Sequence, residues 1–139
     1  MYSLIASTLP HYASTLPLKK YYTTVTYGYI HIILVSSTLS IAYHALSESN
    51  QIVTFLDYCA AFLWIYYDLR LGSIYCSKAD LIKIVGVNIL SCGLNSLIVY
   101  DVQYPVYHSL WHIINSLKAM YVSNLIRRGL DLHIVPYRV

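Results

Sequence analysis

The chain has 139 residues, of which 58% are apolar and only 11% charged, with a formal net charge of +3 and a mean hydropathy of +0.54. A water-soluble globular domain has about 25% charged residues. A chain with less than half that share cannot cover a water-facing surface. The composition therefore excludes an ordinary soluble domain and predicts an all-α membrane protein, for which we expect no nucleic-acid partner.

Four stretches with little or no charge predict a bundle of about four transmembrane helices. The first covers roughly residues 22–46, the second 51–67 and the third 81–100, and the fourth follows Pro105. The first is long enough to cross about 30 Å of hydrocarbon at about 1.5 Å per residue. Proline suits the start of the fourth helix because it loses no hydrogen bond there.

Basic residues predict how these helices are oriented. The loops at residues 47–50 and 101–104 contain no lysine or arginine, whereas the other side of the predicted membrane carries Lys19, Lys20, Arg70, Lys78, Lys83, Arg127, Arg128 and Arg138. By the positive-inside rule both termini are cytoplasmic. The chain is thus predicted to be a multi-pass membrane protein with an amino-terminal tail at 1–20, a transmembrane domain at 21–127 and a carboxyl-terminal tail at 128–139. No sequence signal indicates the organelle.

Five polar residues from three predicted helices fall at one depth, in the outer layer of the membrane. His44 lies near the outer end of the first helix with Ser40 one turn deeper, and Asp57 lies about two turns below the outer surface. His108 and His112 occupy the first two turns of the fourth helix, spaced i and i+4 and therefore on one face. An ionisable residue inside a span is costly and indicates a functional site.

A three-histidine zinc site is the chemistry that fits these residues. His44, His108 and His112 would be the ligands, which leaves the fourth tetrahedral position to water, as in catalytic zinc centres. Zinc lowers the pKa of such a water toward neutrality. Asp57 would orient or deprotonate the water, and Ser40 would hydrogen-bond the site or an oxyanion on a substrate carbonyl.

Other interpretations of the same residues stay open. Each histidine could instead be bonded across helices, Ser40 could bond its own backbone, and Asp57 could pair with a single histidine. Haem held between His44 and a histidine of the fourth helix is a further alternative.

The remaining polar residues are not expected to form a site. His31 lies in the middle of the first helix, and His11 and His133 lie outside the predicted helices. Asp101 is the reserve candidate for the role of Asp57. The three cysteines, Cys59, Cys76 and Cys92, have no C-x-x-C spacing and indicate neither a disulfide framework nor a thiolate metal site.

The order of these motifs resembles the CREST superfamily of membrane hydrolases. This group includes alkaline ceramidases, the PAQR receptors with haemolysin-III proteins, and the GPI-specific phospholipase A2 and myomaker family. The matching segments are "SIAYH" with Ser40 and His44, "FLDY" with Asp57, and "HSLWH" with His108 and His112. The resemblance implies zinc on the three histidines and hydrolysis of an amide or ester bond in a membrane lipid similar to ceramide or a phospholipid.

The resemblance covers three short motifs rather than the whole chain. Members of the superfamily have seven spans, and this chain has about four. The predicted outer position of the site is similar to the ceramidase branch. A second copy of the chain is one way to restore the missing wall of a lipid cavity, so we also consider a homo-oligomer. The contrasting hypothesis is a non-enzymatic membrane protein of structural, fusion or haem-binding type.

Overall fold

The computed structural model describes residues 2–21, 24–46, 50–98 and 104–133, and every element in these ranges is helical. Two short helices, α1 (Tyr2–Thr8) and α2 (Pro10–Ala13), are followed by a 3₁₀ helix (Leu16–Tyr21). Four long helices follow: α3 (Thr24–Ala45), α4 (Gln51–Tyr75), α5 (Lys78–Ile98) and α6 (Tyr104–His133). The prediction of an all-α protein is confirmed.

The four long helices correspond to the four predicted spans but differ from them at their ends. α5 begins at Lys78, before the predicted start at residue 81. α4 continues past residue 67 to Tyr75, and α6 continues past residue 127 to His133. Among the described helices, one, α4, is long and apolar enough by itself to cross a membrane. The number of membrane crossings therefore stays a prediction.

Local signals in the sequence explain where α4 and α5 begin. The Asn50 side chain accepts hydrogen bonds from the backbone N–H groups of Ile52 and Val53, at 3.1 and 3.2 Å, and so caps α4. At α5, the Ser77 hydroxyl oxygen accepts from the Asp80 N–H at 3.2 Å and its proton is donated to the Asp80 carboxylate at 2.9 Å. The side-chain oxygens of Asn50 and Ser77 thus satisfy backbone N–H groups that the first turn of each helix leaves unpaired.

α6 is the central helix of the bundle. It packs against α1, α2, the 3₁₀ helix, α4 and α5, while α3 packs mainly against α4. The amino-terminal segment therefore lies on the bundle, and the Tyr21 hydroxyl donates to the carboxylate of Asp131 near the end of α6. The apolar core includes Tyr29, Ile33, Leu71, Ile84, Val122 and Ile126.

The distribution of polarity is unusual for a water-soluble bundle. Large apolar side chains cover the outside, for example Ile52 and Ile82, each 72% exposed, and Phe62, 67% exposed. Polar side chains are concentrated inside, and the buried ones include Ser36, Ser40, Asn88, Ser91, Asn115 and Ser123. A soluble protein has the opposite arrangement for most of its charged and amide side chains.

A buried ion pair joins the long helices below the histidines. Asp68 on α4 is fully buried, and its Oδ2 lies 3.1 Å from Nζ of Lys118 on α6. The Tyr29 hydroxyl on α3 donates to Asp68 Oδ1 at 2.7 Å, and Lys118 Nζ donates to Oδ1 of Asn88 on α5 at 2.9 Å. Lys118 also lies over the ring of Trp64. This network takes one side chain or more from each long helix.

Candidate metal centre

Three buried histidines meet where α3 ends and α6 begins. His44 Nε2 lies 3.0 Å from His112 Nε2, and the ring of His108 packs at 5.0 Å from the His44 ring and 4.7 Å from the His112 ring, centroid to centroid. One nitrogen from each ring lies within 4.8 Å of the other two. The group can therefore hold a metal ion, which is what the matched depth of these residues predicts.

The local structure of α6 fixes the two histidines it contributes. Their spacing puts both rings on one face of the helix. Trp111 Nε1 donates to the Ser91 carbonyl on α5 at 2.9 Å, and the Ser91 hydroxyl donates to Asn115 Oδ1 at 2.6 Å. These bonds hold α6 against α5 next to the histidines. They therefore fix the direction in which the α6 face with His108 and His112 points.

The chemistry of the cluster fits a cation better than a set of hydrogen bonds. A neutral imidazole has one N–H and one lone pair. A single N–H···N bond between His44 and His112 uses one lone pair, whereas a metal ion would use one from each ring. In addition, His108 Nδ1 is buried and has no hydrogen-bond partner among the described residues, which is costly unless a ligand or water lies there.

The geometry argues against haem between His44 and His112. Bis-histidine ligation places the porphyrin plane and its iron between two ring nitrogens. The two Nε2 atoms of His44 and His112 face each other at 3.0 Å, which leaves no space for a porphyrin. The haem alternative would need the helices to separate.

A cavity of about 740 Å³ lies beside the cluster, and His108 and His112 form part of its wall. Ser40 and Asp57 line the same cavity, Ser40 buried and Asp57 half-buried. Asp57 makes no hydrogen bond or ion pair with any residue that the structure describes. The structure thus brings Ser40 and Asp57 to one cavity with the histidines, without a direct contact between Asp57 and a histidine ring.

The cavity reaches the surface between α4 and α5. Its lining includes exposed side chains from both helices, among them Tyr58 and Phe62 on α4 and Cys92 and Ser96 on α5. Towards the interior the lining ends at Trp64 and Lys118. The cavity therefore extends along α6 from His108 to Lys118.

His11 is a cavity residue that the sequence analysis missed. It was expected to lie outside the helices, but it is only 4% exposed and its ring packs against those of Trp64 and His112, at 5.5 and 5.8 Å between centroids. Burial lowers the pKa of His11 to about 4, although its hydrogen bond to Thr8 acts in the opposite direction. The one sequence signal for this packing is that the first eighteen residues contain no charged side chain.

The other candidates of the sequence analysis do not reach the metal centre within the described residues. His31 stacks on the Tyr27 ring at 3.9 Å on the outer side of α3. Asp101, the reserve for Asp57, lies outside the described residues, as does the side chain of His133. Cys59, Cys76 and Cys92 are free thiols.

Comparisons of the sequence with family models and with curated proteins, and of the fold with solved structures, found no match. The function proposed for this chain therefore rests on the geometry of its histidine cluster and cavity, and on the order of its motifs.

Proposed function

We propose that this protein is a multi-pass membrane hydrolase that binds zinc through His44, His108 and His112 and cleaves an amide or ester bond in a lipid. The observation that carries the proposal is the convergence of three buried histidine nitrogens beside a cavity that is lined by two of these histidines, His108 and His112, together with Ser40 and Asp57. Three protein ligands with a free coordination position are typical of catalytic rather than structural zinc.

The membrane location is supported by the surface of the bundle. α4 meets the length and composition of a membrane span, and the outer faces of α4 and α5 carry exposed isoleucine, leucine and phenylalanine side chains. Several buried polar side chains in the interior are paired across helices, for example Ser91 with Asn115 and Lys118 with Asp68, as lipid requires. The charge asymmetry of the loops supports four crossings with both termini cytoplasmic.

The residues of the cavity have separate roles in this proposal. A zinc ion on the three histidines supplies a Lewis acid. Asp57 acts as the general base that accepts a proton from the attacking water, because its carboxylate has no competing partner among the described residues. The Ser40 hydroxyl donates a hydrogen bond to the carbonyl oxygen on which negative charge develops.

A lipid fits the shape and position of the cavity. A volume of about 740 Å³ is within the range of small-molecule sites, and apolar side chains such as Ala61, Phe62 and Ile65 line its α4 side. An opening between α4 and α5 lets a lipid enter from the hydrocarbon layer. The CREST-like order of "SIAYH", "FLDY" and "HSLWH" supports the same substrate class, with the ceramidase branch preferred.

Substitution of Asp57 tests the catalytic part of the proposal. We expect Asp57→Asn to lower the hydrolysis rate by about 10²-fold or more, the usual contribution of a general base, while the metal content is unchanged. The assay uses detergent-purified protein with fluorescent ceramide and fluorescent phosphatidylcholine. Asp80→Asn is the matched control, because Asp80 is paired with Lys83 at the start of α5 and does not line the cavity.

Two outcomes would contradict hydrolysis by this site. Equal rates for the wild type and Asp57→Asn would remove Asp57 from the reaction. A wild-type protein that contains metal and hydrolyses neither lipid would favour the non-enzymatic hypothesis of a structural or fusion-type membrane protein that keeps its metal.

A further inference from the structure

The amino-terminal segment contributes two residues to the cavity wall, Thr8 and His11. α1 and α2 pack against both α3 and α6, and the Tyr12 hydroxyl lies 3.0 Å from Oγ1 of Thr38 on α3. These contacts hold His11 in ring contact with His112. His11 is therefore placed next to the metal centre by a part of the chain that supplies none of the metal ligands.

Hydrogen bonds determine which nitrogen of His11 carries the proton. Nδ1 lies 2.8 Å from the carbonyl oxygen of Thr8, which can only accept, so Nδ1 must donate. The Ser116 hydroxyl lies 3.0 Å from the same Nδ1, but it donates its own proton to the His112 carbonyl at 2.9 Å. A neutral ring with its proton on Nδ1 has its lone pair on Nε2.

The lone pair of His11 Nε2 has no partner among the described residues, although the ring is held firmly by its neighbours. His11 lines the cavity, and a lone pair there that bonds to no protein group can accept a hydrogen bond from a molecule in the cavity.

We propose that His11 is a ligand-binding residue whose Nε2 accepts a hydrogen bond from a hydroxyl or amide N–H of the molecule in the cavity. The inference rests on the proposed function for the class of ligand, a membrane lipid. Within that class, His11 favours lipids that carry a hydrogen-bond donor near the bond to be cleaved. Lipids whose polar groups only accept leave Nε2 unpaired and bind less well.

The test measures binding rather than turnover, with the full-length protein in detergent. Three fluorescent probes are compared: an N-acyl sphingoid base, its N-methyl analogue, which lacks the amide N–H, and its deoxy analogue, which lacks the hydroxyls. We expect the wild type to bind the analogue that lacks the donor recognised by Nε2 with a Kd about three- to tenfold higher than that of the parent lipid. This factor is the value of one hydrogen bond.

Variants of His11 test whether Nε2 is the source of the preference for lipids that carry a hydrogen-bond donor. His11→Asn keeps a donor for the Thr8 carbonyl but has no acceptor at the Nε2 position, so all three lipids should bind with similar affinity. His11→Gln offers an acceptor closer to Nε2 and should retain part of the preference. His31→Asn, a substitution on the outer side of α3, should behave as the wild type.

Three results would overturn the inference: equal affinity of the wild type for all three lipids, no binding of any of them, or an unchanged preference in His11→Asn. The wild-type comparison holds even where a variant fails to fold. Binding with a donor preference but without hydrolysis would contradict the proposed function alone. Hydrolysis without a donor preference would contradict the role of His11 alone.

Discussion

Lys118→Met is expected to lower the free energy of unfolding by about 3–5 kcal/mol, because it leaves a buried carboxylate without its cation. Asp68 is fully buried and Lys118 is 8% exposed, with Nζ and Oδ2 3.1 Å apart. Methionine preserves most of the side-chain volume, so the loss of stability is due to removal of the charge rather than to a new cavity. The measurement is the unfolding transition of the purified protein in detergent.

An exposed pair on the same protein provides the control. Lys83 lies 2.8 Å from Asp80, but both side chains are in contact with solvent, and exposed pairs often contribute nothing measurable. Lys83→Met should therefore leave stability unchanged. The double variant Asp68→Asn with Lys118→Met should recover much of the loss, since replacing both members of a buried pair is often neutral. Equal effects of Lys118→Met and Lys83→Met would contradict the buried network.

Gly129→Ala is the second substitution expected to have a large effect. α6 passes so close to the end of α4 that a Cβ on Gly129 would lie 2.6 Å from the carbonyl carbon of Tyr75, and closer still to its oxygen. Backbone cannot move aside as a flexible side chain can, so α6 would have to shift. We expect a loss of about 1–3 kcal/mol or more, the usual cost of overpacking, measured by thermal unfolding.

Gly86→Ala and Gly93→Ala are matched controls on α5. A Cβ at either position meets nothing within 4 Å, and alanine is the better helix former by about 1 kcal/mol. Both variants should be as stable as the wild type or more so. A Gly129→Ala protein that unfolds at the wild-type temperature would mean that the two helices are further apart than described.

The histidine cluster could be predicted from the sequence because its positions follow from regular geometry. His108 and His112 share a helix face by their spacing, and the alternation of spans brings His44 to the same end of the bundle. No long-range information beyond the order of the helices was required. The prediction extends to Ser40 and Asp57 only as far as their presence in the same cavity.

The buried ion pair could not be predicted in the same way. A charged residue at position 68 limits the predicted second span to residues 51–67, although α4 continues to Tyr75. Lys118 lies in the fourth span, and no local pattern indicates that its partner is Asp68. Pairing of residues that are distant in sequence depends on how helices pack, and the same is true of His11 against His112.

Metal content is the most direct test of the central claim, that His44, His108 and His112 form one metal site. We expect about one zinc ion per chain in the detergent-purified wild type, as for a mononuclear three-histidine centre, measured by mass spectrometry. His44→Ala should lose most of that zinc, because it removes the ligand that α3 supplies, whereas His31→Ala on the same helix should retain it. Absence of metal from the wild type, or an unchanged metal content in His44→Ala, would contradict the claim.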